Sequence, residues 1–208
     1  IQRWLRHRSG MILFTGPTGS GKTTTLYALL QSLTSTSSFQ AITLEDPIEK
    51  NLNNIIQVQV NERAGVTYDT GLKAALRHDP DLLMVGEIRD KSTAQFAFRA
   101  ALSGHLVIST IHARDAHGTI HRLKEMSIKQ TDIEQTMIAI ASQQLISLGG
   151  AKQLPKRAAI LELLEGVQLK RAIDSQTKHQ QNFQSFRHLR RKAYALGFVA
   201  KNEVDPFS

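Results

Sequence analysis

The chain has no cysteine among its 208 residues, which excludes disulfides and cysteine-ligated zinc. Aromatic residues are scarce at 6% and are not interleaved with the basic ones, so no stacking platform for single-stranded nucleic acid is indicated and direct DNA binding is not expected. No apolar run approaches the roughly 18 residues that a membrane span needs. No apolar leader accompanies the opening arginines Arg3, Arg6 and Arg8, so no secretory signal is read and a cytoplasmic location is the default expectation. Acidic residues number 18 against 26 basic ones, a formal net charge of +8, and a second basic cluster lies at Arg187, Arg190, Arg191 and Lys192. Such a surface attracts nucleic acid, anionic lipid or an acidic protein, or serves only as a solvated face. The length suits one α/β domain with a small appendage. The first residue is Ile1 rather than Met and a motif follows almost at once, so the chain reads as a piece of a longer protein.

What is present is an alternation of short apolar runs and helix-compatible stretches. Met11 to Thr15 is apolar and breaks into a glycine-rich loop, and Thr23 to Leu33 then lacks Gly and Pro; this predicts strand, loop, helix. Ala41 to Leu44 reads as a buried strand ended by Pro47, after a Ser/Thr-rich loop from Thr34 to Ser38. Ile56, Val58 and Val60 alternate with glutamines, the pattern of a half-exposed edge strand. Leu72 to Arg77 predicts a helix that stops before Asp79-Pro80, because the residue preceding proline is pushed out of the helical region. Two further buried strands, Leu82 to Val85 and Leu106 to Thr110, flank an alanine-rich helix from Thr93 to Leu102. This order predicts a mostly parallel sheet covered on both faces. Beyond it, Ile133, Met137 and Ile140 recur at helical spacing, Leu145–Leu148 and Ala158–Leu164 suit a hairpin around Gly149-Gly150, and Phe186 to Leu196 reads as an amphipathic helix capped by Gly197.

Gly16-Pro17-Thr18-Gly19-Ser20-Gly21-Lys22-Thr23, followed by Thr24, fits the phosphate-binding loop at every fixed position and sits between a predicted strand and helix, as that loop requires. In such a loop, glycines let backbone N–H groups close on a β-phosphate, and the helix N-terminus adds partial positive charge. Lys22 would reach the β- and γ-phosphates and the Thr23 hydroxyl would bind Mg²⁺. The apolar strand Leu82–Val85 leads through Gly86 to Glu87, a candidate for orienting or deprotonating an attacking water. The alternative for Glu87 is a solvated acid paired with Arg89. Glu45, at the end of the earlier strand, is placed to hold the Mg²⁺ shell through water. His105 and His112, judged by residue type alone, are hydrogen-bonded residues beside a buried strand.

Four stretches then combine: residues 16–25, Ile42–Glu49, Leu76–Asp90 and Gly104–His112. In this order and at these intervals they resemble the Walker A, Asp box, Walker B and His box of the secretion and pilus assembly ATPases. The likeness runs from about Gly10 to Leu145. It implies a RecA-like P-loop core, ATP and Mg²⁺ as ligands, and a homohexamer that acts on a polytopic membrane platform protein from the inner face of the cell membrane. It makes Glu87 the catalytic glutamate, assigns Glu45 to the Asp box, and makes His105 and His112 nucleotide sensors. Arg77 and Arg89 are expected to add positive charge from within the subunit. Relatives that serve type II secretion carry a four-cysteine zinc element after the His box, whereas Gln143–Pro155 has no cysteine. The chain is therefore most similar to the competence ATPases of Gram-positive bacteria, with pilus retraction motors second. Gln144 stands where the family usually has Arg, an expected weakening of a subunit contact, and His121 where Asp or Asn is usual.

The expected division is a RecA-like core over residues 1–148 and a hairpin with a helical appendage over 149–208, an N-terminal domain of the longer protein lying outside this sequence. A nucleic-acid translocase, a ring component that binds ATP without turnover, and a small-molecule kinase are the rival readings. Contact of the basic tail with the membrane periphery stays open.

Overall fold

The computed structural model describes residues 3–34, 39–149, 157–174 and 183–204. Seven strands form one sheet in the order β3-β2-β4-β5-β1-β6-β7. They are β1 (Gly10–Thr15), β2 (Ala41–Glu45), β3 (Ile56–Gln59), β4 (Leu82–Ile88), β5 (Leu106–Ile111), β6 (Met137–Ser147) and β7 (Arg157–Glu165). Every pairing is parallel except the last, in which β7 returns antiparallel along β6. Strands β1, β2 and β5 are buried along their whole length, as near-continuous apolar sequence in a two-sided parallel sheet demands. The alternating β3 pairs on one side only and forms an edge.

Alternation of side chains along each strand sorts the core into two layers. Ile12, Phe14, Met84, Leu106 and Ile108 pack with Leu26, Tyr27 and Leu30 of helix α1 (Lys22–Thr34). Met11, Leu13, Leu44, Leu83, Val85 and Val107 point the other way. That face is covered by α2 (Tyr68–Leu76), α3 (Lys91–Leu102), α4 (Ala116–Glu125), α5 (Gln130–Thr136) and α6 (Gly166–Ile173). The starts of these helices are written locally: the Thr67 hydroxyl accepts from the Thr70 N–H in a capping box, Asp90 accepts from Thr93 N–H at 2.8 Å, and Asp115 from Gly118 N–H at 2.7 Å. Such caps satisfy N–H groups that the helix itself leaves unpaired. α2 ends at Leu76, and Asp79, before Pro80, turns to φ +47°.

One expected element differs. The helical spacing of Ile133, Met137 and Ile140 is interrupted: α5 stops at Thr136 and the strand β6 starts at Met137. Residues 137–141 are Met-Ile-Ala-Ile-Ala, an apolar run beside β1 in the sheet interior, and so short a run fits a buried helix and a buried strand equally well. The hairpin is present but longer than expected. β6 and β7 pair from Ala139↔Glu165 to Ser147↔Arg157 within the main sheet; Gly150 of the anticipated turn lies outside the described residues. A last helix, α7 (Phe186–Ala195), packs on β7. At its end, Gly197 N–H donates to Tyr194 O and Phe198 N–H to Ala193 O, both at 2.9 Å. With Gly197 at φ +76°, this is a Schellman termination.

Candidate functional site

β1, β2, β4 and β5 run in parallel, so the residues that follow them gather at one edge of the sheet, where α/β proteins bind ligands. A pocket of about 540 Å³ opens there, lined among others by Gly19, Lys22, Thr23, Glu45, Glu87 and His112. The loop from Gly16 to Gly21 joins β1 to α1 and forms one wall. Gly16 has φ +141°, and a Cβ on it would come within 2.3 Å of the Gln143 carbonyl oxygen, whereas a Cβ on Gly19, at φ +77°, would meet nothing. The loop is therefore tight against β6 behind and open in front, the shape a phosphate cradle requires. Thr18, Gly19, Gly21, Thr23 and Thr24 all line the pocket, while Pro17 and Ser20 lie on the loop's other side. The loop is pinned from below by Gln143, whose amide donates to Ser20 O at 2.7 Å and accepts from the Thr25 hydroxyl at 3.0 Å.

Lys22 is buried, and its ammonium donates to Gly16 O at 2.9 Å and Pro17 O at 3.1 Å. Burial pushes its pKa below the ordinary lysine value, an effect the Glu87 charge partly offsets. Glu87 forms the opposite wall. Its Oε1 lies 2.9 Å from His112 Nε2, and its Oε2 accepts from Arg89 Nε at 2.8 Å. The Arg89 guanidinium also reaches Asp46 at 3.3 Å. Arg89 has its pKa raised first by the hydrogen bond to Glu87 and then by the Glu87 charge. Glu45 is buried at the foot of the pocket. It accepts from Thr43 Oγ1 at 2.6 Å, Gln57 Nε2 at 3.0 Å and the Tyr27 hydroxyl. A carboxylate offers about four lone-pair directions, so one is left for water.

No group of three or more His, Cys, Asp or Glu suited to a metal occurs among the described residues. Mg²⁺ beside a phosphate needs no such cage, since one or two protein oxygens, waters and phosphate oxygens complete its shell. Thr23 and Glu45 on the pocket wall fit that pattern.

Two expected site residues lie elsewhere. His105 precedes β5 and His112 follows it, which sets them at opposite edges of the sheet, about 23 Å apart at roughly 3.3 Å per residue. His105 Nδ1 sits 3.2 Å from Ser103 Oγ. Arg77 is exposed at the end of α2 opposite to Tyr68, which lines the pocket. Sequence reasoning missed Tyr27, Tyr68, Thr110 and Gln143. Burial and the Glu45 hydrogen bond push the Tyr27 phenol up to about 12, and burial with the Asp46 charge does the same for Tyr68. Thr110 Oγ1 donates to Gly86 O at 2.7 Å and fixes the approach to Glu87. Gln143 carried one signal, a polar side chain inside an apolar strand.

A phosphate loop after β1 of a parallel sheet, faced by a carboxylate from β4 with β5 between the two strands, defines a RecA-like P-loop nucleotide-binding domain. The chain belongs to the type II/IV secretion system protein family, whose model matches residues 1–204. It is 47% identical over 217 residues to the competence protein ComGA of Bacillus subtilis, an alignment that takes in 97% of this chain and 61% of that protein. It is 50% identical over 146 residues to the type II secretion system ATPase E of Vibrio cholerae, which takes in 70% of this chain and 29% of that one. Among solved structures, the pilus retraction motor PilT with bound ADP superposes with a TM-score of 0.81 at 30% identity, covering 99% of this chain and 63% of the motor. The chain thus spans less than two thirds of each relative. The competence protein matches almost the whole chain and the type II secretion protein only part of it. No described helix is long and apolar enough to cross a membrane.

Proposed function

We propose that the chain is the ATP-hydrolysing motor domain of a homohexamer that drives a membrane-embedded platform protein to insert or remove pilin-like subunits, as in DNA-uptake pseudopili. The observation that carries this reading is the pocket itself: Lys22 and the phosphate loop on one wall, Glu87 on the other, with His112 and Arg89 holding the carboxylate between them. The similarity to a competence protein and to a pilus retraction motor that binds ADP supports it.

In this reading the loop N–H groups and Lys22 hold the phosphate chain, and Lys22 leaves its carbonyl partners for phosphate oxygens. Thr23 would hold Mg²⁺, with Glu45 supporting its water shell, and the ion would supply positive charge against that building on the transferring phosphoryl group. Glu87 aligns the attacking water and accepts its proton at Oε1, with His112 Nε2–H stabilising the carboxylate before transfer. Arg89 is exposed enough to turn from Asp46 toward a phosphate. Arg77 and His105 take no step inside the subunit. The work takes place on the cytoplasmic face of the membrane. Light scattering and phosphate release, followed over a range of protein concentrations, test the proposal. The expected result is slow Mg²⁺-dependent hydrolysis by the monomer that accelerates as hexamers form, because an arginine supplied across an interface raises phosphoryl-transfer rates about a thousandfold or more. Salt-sensitive stimulation by DNA would point instead to a translocase, and absent turnover at every concentration would refute the proposal.

A further inference from the structure

A second cleft lies on the other side of the phosphate loop. It measures about 290 Å³ and is lined by Pro17, Thr18, Gly19, Ser20, Leu145 and Arg190, with Gln144 beside them. Thr18 and Gly19 belong to both clefts, so the two meet across the tip of the loop. Strand order gives them a polarity: Glu87 marks the β4 side of β1, and Gln144 and Leu145 mark the β6 side. A nucleotide whose terminal phosphate faces Glu87 must direct its other end toward β6. The volume is near the lower limit of about 300 Å³ for small-molecule pockets, enough for the nucleoside half alone.

Arg190 is the cation of this cleft, and it comes from α7 rather than from the sheet. Its side chain is only 12% exposed. One terminal nitrogen donates to Glu203 O at 2.9 Å and Glu203 Oε2 at 3.2 Å, and the other to Gln144 Oε1 at 3.0 Å. Among the described residues these bonds use three of the five N–H donors of a guanidinium, leaving the rest for a ligand. The helix is fixed in turn by Phe186 N–H, which donates to the buried Glu162 at 2.6 Å. A planar guanidinium held at a set position suits a nucleoside, because it stacks on a flat base and donates to ring nitrogens and ribose oxygens.

We infer that Arg190 of α7 completes the nucleotide site by gripping the base and ribose in the cleft between the phosphate loop and Gln144. This rests on the nucleotide-hydrolase reading above. It makes the C-terminal helix part of the ligand site, so nucleotide binding and the seating of α7 are coupled.

The test compares two probes on the whole chain: ADP, which has a nucleoside, and inorganic tripolyphosphate, which carries only the phosphate chain. Arg190→Ala should weaken ADP binding about tenfold or more, as loss of charge-assisted hydrogen bonds does, while tripolyphosphate competition shifts less than twofold. If the alanine variant does not fold, Arg190→Gln keeps amide donors for Glu203 and Gln144 and removes the charge, with the same expectation. Unchanged ADP affinity would overturn the inference. So would an equal loss for both probes, which would make Arg190 a support for the loop and not a ligand contact. A wild-type chain that binds neither probe would refute the hydrolase reading itself, an outcome distinct from the other two.

Discussion

Replacing Glu87 by glutamine separates the chemistry of the site from its construction. The carboxylate sits between Arg89 Nε at 2.8 Å and His112 Nε2 at 2.9 Å. A glutamine of the same shape keeps its oxygen toward the Arg89 N–H and turns its NH₂ toward His112. That contact is satisfied if His112 shifts its proton to Nδ1 and accepts at Nε2, a tautomer change open to a neutral imidazole. Little stability is at stake: Arg89 and His112 are 57% and 50% exposed, and ion pairs screened to that degree contribute less than about 1 kcal/mol. The rate is another matter, because an amide positions water but does not take its proton. General-base assistance contributes about a hundredfold to ten-thousandfold, or roughly 2.7 to 5.5 kcal/mol of barrier. Glu87→Gln should therefore hydrolyse ATP at least about a hundredfold more slowly, with ATP affinity within threefold of wild type and a melting temperature lowered by a few degrees at most. Phosphate release and fluorescent-nucleotide titration measure the two quantities. A variant that loses ATP affinity in proportion to its rate would show that Glu87 builds the pocket and that the base lies elsewhere.

Other substitutions probe the frame around the site. Gly16→Ala places a methyl group 2.3 Å from the Gln143 carbonyl at φ +141°; it should destabilise the fold by about 1 to 3 kcal/mol and abolish ADP binding, read by thermal melting and calorimetry. Tyr27→Phe strips one donor from the buried Glu45 carboxylate, at a cost of about 1 to 3 kcal/mol in urea denaturation. Glu162 is buried, its Oε2 meets no hydrogen-bond partner within normal geometry among the described residues, and burial raises its pKa above the ordinary 4.5. The folded state then holds its proton more tightly than the unfolded state, so Glu162 favours folding at low pH and loses that contribution as pH rises through its folded pKa. Glu162→Gln removes the titration while keeping an acceptor for Phe186; melting curves should show it more stable than wild type at pH 7, with the difference shrinking toward pH 4.

The phosphate loop was legible because all its parts are contiguous: an apolar strand, glycines at fixed offsets, Lys22, Thr23 and a helix. Glu87 was legible for the same reason, as an acid at the end of an apolar strand. Tyr27 and Gln143 were not, since the first reaches Glu45 from α1 and the second reaches Ser20 from β6, and pairings between separate segments leave no local pattern. Family likeness grouped His105 with His112, but strand geometry alone sets residues at the two ends of β5 on opposite edges of the sheet. Met137 shows the limit of periodicity, because an apolar run in the interior of a sheet satisfies either period.

ATP turnover at the phosphate loop depends most directly on Lys22. Phosphate release by the wild-type chain and by Lys22→Ala, at matched protein and Mg·ATP concentrations, tests it. Loss of one cation that serves charge in the transition state costs about 3 to 4 kcal/mol, so the variant should fall at least a hundredfold, to background. Turnover within threefold of wild type would contradict the account, because ATP would then be hydrolysed somewhere other than the pocket between Lys22 and Glu87.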